Sequence, residues 1–542
     1  MPGFNLLEEP WVPVLLPDGA PAELPLGETL LRAHELSEVS DESPLVTASL
    51  HRLLLALLHA VFRGPASPSA WAALWSAGRF DPATLGRYFA QWRPRFELFD
   101  AERPFYQRTD METVTNASSA LRLVHDRAAA NSNRFWDKTD DDAGLTPAAA
   151  ARALITTQGY AFAGGVSFPL RFYDAPNMRG YTALVRGETL FQTLALNLVV
   201  YNAQEPFART GADLPAWEQE TFAVPDKDGT KPAGYLDLLT FQARAVRLLR
   251  DEDGQVRRCL FRMNIVLDDR QALDPFKSYR HDEKLGWRPR TLTQGRAVWR
   301  DSHALFAASE AGRRPRVLDY VAQIPQALDD EGWKGALPPQ QPNLDVLGLC
   351  SEPGKAIVHY WRQERLPMPL AYLDDRALQD RLQQALQAAE NGYSALASAV
   401  YTLARLILQP DGRKGDEKAI RALADSMGAD VRYWRALDLA FDGFLPALAD
   451  DWQPVGPAKT YGAHALPAWG KEIQRAAQTS FRAAADMQGE SARALRAAAE
   501  AEQGLRMRLS DPLRQRPRGG EPAKQTEPAS AGRALGDKGG AA

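Results

Sequence analysis

Two adjacent glycines, Gly164 and Gly165, fall within the stretch QGYAFAGGVSF (158–168), with Gly159 just upstream. Glycines at such spacing could cradle a nucleotide phosphate, since backbone N–H groups unscreened by a Cβ can converge on an anion. That chemistry also needs a lysine and a hydroxyl residue directly after the glycines, to complete the phosphate and magnesium site. No Lys-Ser or Lys-Thr pair follows them here, and Val166 occupies the place. A Gly-x-Gly-x-x-Gly dinucleotide fingerprint is missing from the stretch, and GVSFP lacks the spacing of a nucleophile elbow. What remains is the general property of glycine, which permits positive φ and close approach of backbone to another surface. A Gly-Gly pair serves equally well as a plain turn between a helix and a strand.

Other reactive side chains do not assemble either. His51 and His59 lie eight residues apart, near one helix face but two turns distant, too far to share a metal ion without a third ligand. The acidic run DKTDDD (137–142) has neither the glycine nor the terminal glutamate of a calcium loop and reads as a solvated loop. Cys259 and Cys350 make neither a disulfide framework nor a zinc knuckle, so no metal and no cofactor is expected. An enzyme would need residues dispersed over the fold. A metabolic or hydrolytic enzyme using His125 or His359 is the alternative reading.

The net charge of −4 argues against a general nucleic-acid binder, but its distribution points the other way. Residues 241–300 hold fourteen Arg and Lys against eight Asp and Glu, a local basic surface suited to gripping a partner at one place. A solvated charged face would give the same count.

The elements that must position these residues are legible in outline. WVPVLLPDGAPAEL is hairpin-like around Pro-Asp-Gly, and SPLVTASLHRLLLALLHAVF (43–62) has helical spacing after a Ser-Pro start. Its longest apolar run, Leu53 to Phe62, is shorter than a bilayer span, and the first residues lack a basic start followed by an apolar stretch. A cytoplasmic protein without a membrane partner is expected. A further helix is predicted through PATLGRYFAQWRPRFELF, and residues 109–145 read as a long loop. TPAAAARALI is a capped helix leading into the glycine stretch, and TALVRGETLFQTLALNLVVY is a strand followed by a helix. LLTFQARAVRLLRDEDGQVRRCLFRMNIVL predicts an antiparallel hairpin turning at Asp-Gly, with several arginines on one face. Beyond residue 370, Leu378, Leu382, Leu386, Ala389, Tyr393, Leu396, Val400, Leu403 and Ile407 draw one apolar stripe. Helices near 416–427, 430–449 and 464–500 follow it. The fold class is therefore α+β: a large mixed α/β domain over 1–368, then an all-α four-helix bundle over 369–505. The last thirty or so residues, from Asp511, lack an apolar anchor, and a disordered tail is expected over 506–542. Deleting 511–542 should leave the melting temperature unchanged; a clear drop in a thermal melt would contradict this.

Several segments, in order along the chain, resemble one family. FNLLEEPWVPV (4–14), ERPFYQ (102–107), AAANSNRFWDKTDDD (128–142), GYAFAGG (159–165), ALVRGETLFQTLALNL (183–198) and LDVLGLCSEPGKAIVHYWRQERLP (344–367) resemble the large subunit of type I-E CRISPR surveillance complexes, the CasA family. The resemblance spans roughly residues 4 to 500, and the ordered set is far more specific than any one segment.

The resemblance implies a non-catalytic subunit at the foot of an RNA-guided ribonucleoprotein. Such a subunit inspects duplex DNA through the minor groove for a short flanking motif, the PAM, opens the first base pairs, and later receives a helicase-nuclease. Carried over residue by residue, the glycine loop is Gly159, Phe162, Ala163, Gly164 and Gly165, with Ala163 where some relatives have glycine. The DNA-opening wedge is Pro353, Gly354, Lys355 and Ala356, with Lys355 where relatives can carry an amide. The basic finger is Arg262, with Lys277 in reserve. Asn131, Arg134, Phe135 and Trp136 would touch the guide-RNA end or DNA. The Cys-x-x-Cys cluster of some relatives is missing, so no zinc is implied.

Overall fold

In the computed structural model the chain is described except at residues 1–2, 113, 126–142, 165–166, 168–169, 203–208, 227, 269–273, 308–311, 331, 333, 335–338, 340, 352–357, 410–415, 452–463, 511–512 and 514–542. The proposed wedge tip 353–356, the loop residues 131 and 134–136, and Gly165 lie outside the described residues.

The first hairpin forms as expected: Val12–Leu15 pairs antiparallel with Pro21–Leu24, Val12 opposite Leu24, turning through Gly19 at φ +82°. The helix Pro44–Phe62 follows. It is long and apolar enough to cross a membrane, yet 83% of its most apolar window is buried inside the protein, as in the core helix of a globular fold. The helix Pro82–Trp92 starts on the Asp81 carboxylate, which accepts from Thr84 N, and gives way to a 3-10 turn at Arg93–Phe96, where Pro94 removes a donor.

Three antiparallel pairings bear on function. Asn343–Ser351 is the central strand between Thr182–Arg186 and Val358–Pro367, and its nearly continuous burial accounts for its apolar residues on both faces. Its one buried carboxylate, Asp345, pairs with Arg186 and Arg365 from the two flanking strands. The expected strand–helix after the glycine loop is present as Thr182–Arg186 and Leu190–Leu196, the second capped by Thr189 Oγ1, which accepts from Gln192 N. The arginine-rich hairpin also forms, Arg244–Arg250 against Val256–Met263, turning through Gly254 at φ +85°.

Three arginines of that hairpin share one face, as expected: Arg247, Arg258 (opposite Leu249) and Arg262. Ala245 opposes Arg262 and Arg247 opposes Leu260, whereas Arg244 opposes Met263 on the other side. Positions 244, 247 and 250 are spaced by threes, and a strand alternates by twos, so they scatter over both faces.

The described residues beyond 370 are helical: Ala371–Asp374, Arg376–Leu408, Glu417–Ser426, Ala429–Asp450, Ala465–Asp486 and Ala492–Arg508. Leu378, Leu382, Ala389, Leu396, Val400 and Leu403 are buried, as their spacing predicts. The single helix expected over 464–500 is instead two. Gly489 takes φ +78°, which ends the first, and Ser491 Oγ accepts from Ala494 N to start the second. By contacts, one compact unit comprises Met1–Leu386 with Asp430–Glu472, and a second comprises Gln387–Ala429 with Ile473–Ala542. In the first unit Trp299 stacks on Phe441 at 4.5 Å, and Trp469 donates to the Ala385 carbonyl at 2.9 Å. In the second, Tyr401 donates to Glu417 at 2.7 Å and Gln474 donates to the Leu509 carbonyl at 2.7 Å.

Candidate nucleic-acid interface

The glycine stretch begins inside a helix. Pro147–Tyr160 is capped by Thr146 Oγ1, which accepts from Ala149 N, and it runs on through Gly159. Gly159 is therefore helical, and an added Cβ would stand 2.8 Å from Asn177 Nδ2. Its smallness serves helix packing at that point.

From Ala161 the chain turns extended and folds back on itself as a narrow stem. Ala175 N donates to the Ala161 carbonyl at 2.8 Å, Ala163 N to Asp174 Oδ1 at 2.8 Å, and Gly164 N to the Phe172 carbonyl at 3.2 Å. Phe162 is buried beside His125, whose Nε2 lies 2.7 Å from the Tyr160 carbonyl. Gly164 stands at the end of the stem, exposed, at φ +101°. An added Cβ there would meet nothing within 4 Å, so the backbone angle, not crowding, demands glycine.

One residue missed as a loop component holds the stem. Arg244 is 1% exposed, and its Nη2 donates to the carbonyls of Ala161 at 3.2 Å, Phe162 at 3.0 Å and Tyr173. The guanidinium also lies 5.5 Å from the Phe172 ring centroid. Its backbone is tied to the helix end: Arg244 N donates to Gln158 Oε1, and Gln158 Nε2 returns a bond to the Arg244 carbonyl. The hairpin thus clamps both arms of the stem from one side. Met263 N adds a bond to Ser167 Oγ at 2.9 Å. Three carbonyls converging on one buried cation is a non-local arrangement with no signature in sequence spacing.

The two basic-finger candidates are placed differently from a solvent-facing cation. Arg262 is 7% exposed, its Nη1 donates to the Met263 carbonyl at 3.2 Å, and its Nη2 lies 3.7 Å from the Asp110 carboxylate. Burial, with Arg108 nearby, lowers its affinity for a proton. Lys277 is 4% exposed, and its Nζ donates to the Pro176 carbonyl at 2.7 Å. Beside it Arg52 and Asp274 form a buried ion pair at 2.7 Å. Burial alone would raise the Asp274 pKa, but Arg52 and Lys277 outweigh it and the net direction is down. Lys277→Met should therefore lower thermal stability by about 1–3 kcal/mol, the usual cost of unpairing a buried polar group. A melt reads that loss, and an unchanged midpoint would show the lysine to be structurally idle. Arg244, Arg262 and Lys277 accordingly do not line one open basic groove with Gly164.

The basic excess over 241–300 is largely consumed within the fold. Arg257 pairs with Asp251 and Asp253, Arg258 donates to the Ala117 carbonyl, Arg296 pairs with Asp301, and Arg300 lies over the Trp434 ring.

Groups that could support catalysis remain apart. His125 is buried against a backbone carbonyl, and His359 projects from an exposed position of Val358–Pro367. Burial pushes the Cys259 thiol up to about 12, which makes it a poor nucleophile. A cavity of about 590 Å³ lined by Phe62, Pro65, Leu74 and Leu198 holds one carboxylate, Asp81, and no histidine. Among the described residues no three His, Cys, Asp or Glu side chains cluster to hold a metal ion.

The hairpin that carries LDVLGLC and VHYWRQERLP is in place, with Asn343 opposite Pro367 and a register shift after Cys350. Residues 352–357 join its strands. A sequence model of the CRISPR-associated protein Cse1 family matches residues 5–480. The chain belongs to the CasA/Cse1 family. A CRISPR-associated CasA/Cse1 protein of Thermus thermophilus is 32% identical over 516 residues, covering 92% of this chain and 96% of that protein. A crystal structure of Thermus thermophilus CasA superposes with a TM-score of 0.77 at 30% identity, over 94% of this chain and all of that one. Thermobifida fusca Cse1 is similar at a TM-score of 0.78 and 25% identity, over 94% and 98% of the two chains. A chain of a CRISPR RNA-guided surveillance complex shares the fold at a TM-score of 0.68 and 23% identity, over 93% and 100%. Membership of the family is legible in the order of the segments; Arg244 as the clamp of the glycine stem is not.

Proposed function

We propose that this CasA-family chain is a non-catalytic, cytoplasmic, DNA-binding subunit of a type I-E Cascade complex. It recognises the PAM in duplex DNA through the minor groove, helps unwind the target for R-loop formation, and recruits the helicase-nuclease. The observation that carries this reading is the exposed Gly164 at φ +101°, held out on a stem whose two arms are fixed to one buried guanidinium. A minor groove is narrow and its base code degenerate, so a slim rigid backbone enters it where bulky side chains cannot. Delegating sequence to guide-RNA pairing leaves the protein only a short motif to read. Pro353, Gly354, Lys355 and Ala356, between the strands of the long hairpin, act as the wedge, and Asn131, Arg134, Phe135 and Trp136 contact the guide RNA or DNA. The C-terminal helices form a four-helix bundle that holds the displaced strand.

Two measurements test this. The tagged chain should copurify with a guide-RNA ribonucleoprotein, and the assembled complex should shift PAM-bearing duplex more strongly than a PAM-less one in a gel. Copurification without RNA, or equal shifts, would overturn the proposal.

A further inference from the structure

With Arg262 and Lys277 buried, the cation that grips the DNA backbone beside the glycine loop must be another residue. Arg171 has the required placement. It precedes Phe172, whose carbonyl accepts from Gly164 N, so it flanks Gly164 directly across the stem. It is exposed, its guanidinium lies 4.9 Å from the Tyr173 ring centroid, and it makes no ion pair among the described residues. Its neighbours are committed elsewhere. Arg179 lies 3.8 Å from the Asp174 carboxylate, and the Arg122 guanidinium sits 4.1 Å over the Phe261 ring. The Tyr173 carbonyl is held in turn by Arg244, so the ring that supports Arg171 belongs to the clamped stem.

We propose that Arg171 is the phosphate-binding cation of the glycine loop. The proposal rests on the reading of Gly164 as the element that enters the groove. A backbone inserted in a minor groove is bordered by both phosphate ridges, and a side chain flanking the tip meets one of them. A guanidinium lying on an aromatic face keeps its N–H edge free, and that planar edge matches phosphate in a bidentate contact. Such a contact carries no sequence information, so Arg171 sets affinity while Gly164 sets discrimination.

The test is equilibrium binding of assembled complexes to PAM-bearing and PAM-less duplexes across a salt series. Arg171→Gln should make the slope of log K against log salt shallower by about 0.9, one phosphate contact. The affinity gap to the unmodified complex would then be about 3.5-fold wider at about 50 mM than at about 200 mM salt. The loss should be equal on both duplexes, and Arg171→Lys should restore the slope. Gly164→Asp, measured alongside, should lose discrimination. An unchanged slope for Arg171→Gln while Gly164→Asp is defective overturns the role of Arg171 alone. A loss confined to PAM-bearing duplex overturns it as well. No defect in Gly164→Asp overturns the reading of the loop on which the proposal rests.

Discussion

Gly164→Asp should lower the affinity of the assembled complex for PAM-bearing duplex at least about tenfold, about 1.4 kcal/mol, while the chain still folds. Two effects add. A side chain at φ +101° strains the backbone by about 1–3 kcal/mol, and the stem relieves this by shifting Gly164 off its bond to the Phe172 carbonyl. The new carboxylate also brings a negative charge toward a groove bordered by phosphates. Folding survives because the position is exposed and an added Cβ meets nothing within 4 Å. Gly164→Ala separates the two effects, since it carries the strain without the charge and should lose less. Gel shifts on the three complexes, with a thermal melt of each chain, read both quantities. Unchanged affinity for the aspartate variant would sink the assignment. Lys355→Asp in the segment joining the long hairpin's strands is expected to weaken the same duplex through lost phosphate attraction.

How far the sequence leads depends on whether a feature is local. Turn chemistry is local: Asp-Gly before Gln255 sits where the arginine hairpin turns, and Thr146, Thr189 and Asp81 cap the helices that follow them. The break at Gly489 is local too, but the Ala-rich sequence on either side continues the helical pattern and hides it. Proximity alone groups Gly159 with Gly164. Only the helix boundary separates a glycine packed against Asn177 from one exposed at positive φ. The basic finger fails for a different reason. Arg262 donates to the Asp110 carbonyl and lies 3.7 Å from its carboxylate, 152 residues earlier, and Lys277 is held by a carbonyl 101 residues away. Composition over 241–300 counts cations and is blind to such partners. Arg171 lies outside that window, and its exposure beside Gly164 follows from a stem that spacing does not encode.

If the glycine loop reads duplex DNA as proposed, the clamp accounts for how so thin a loop could discriminate. An exposed glycine loop alone would sample many conformations, and ordering it on DNA would cost binding energy. Arg244 removes that cost in advance by fixing the carbonyls of Ala161 and Phe162 on one arm and Tyr173 on the other. Arg244→Met keeps the approximate volume but leaves three inward carbonyls without their shared donor. Because the carbonyls left behind are neutral but buried, stability should fall by about 1–3 kcal/mol or somewhat more. The loss should also be visible locally. Amide protection at Gly164, Ala163 and Ala175, whose N–H groups bridge the stem, should drop further than at Val246 and Leu248 in the neighbouring strand. Arg244→Lys supplies one point donor in place of a fork and should fall between the two. Asp174→Asn, which weakens the bond to Ala163 N and removes the charge facing the exposed Arg179, should loosen the stem with little change in global stability. Hydrogen exchange on the isolated chain reads all of these without DNA. Uniform loss of protection across the hairpin and the stem would make Arg244 a core residue only. Loss confined to the stem, paired with weaker PAM discrimination in the complex, makes it the residue that positions the loop.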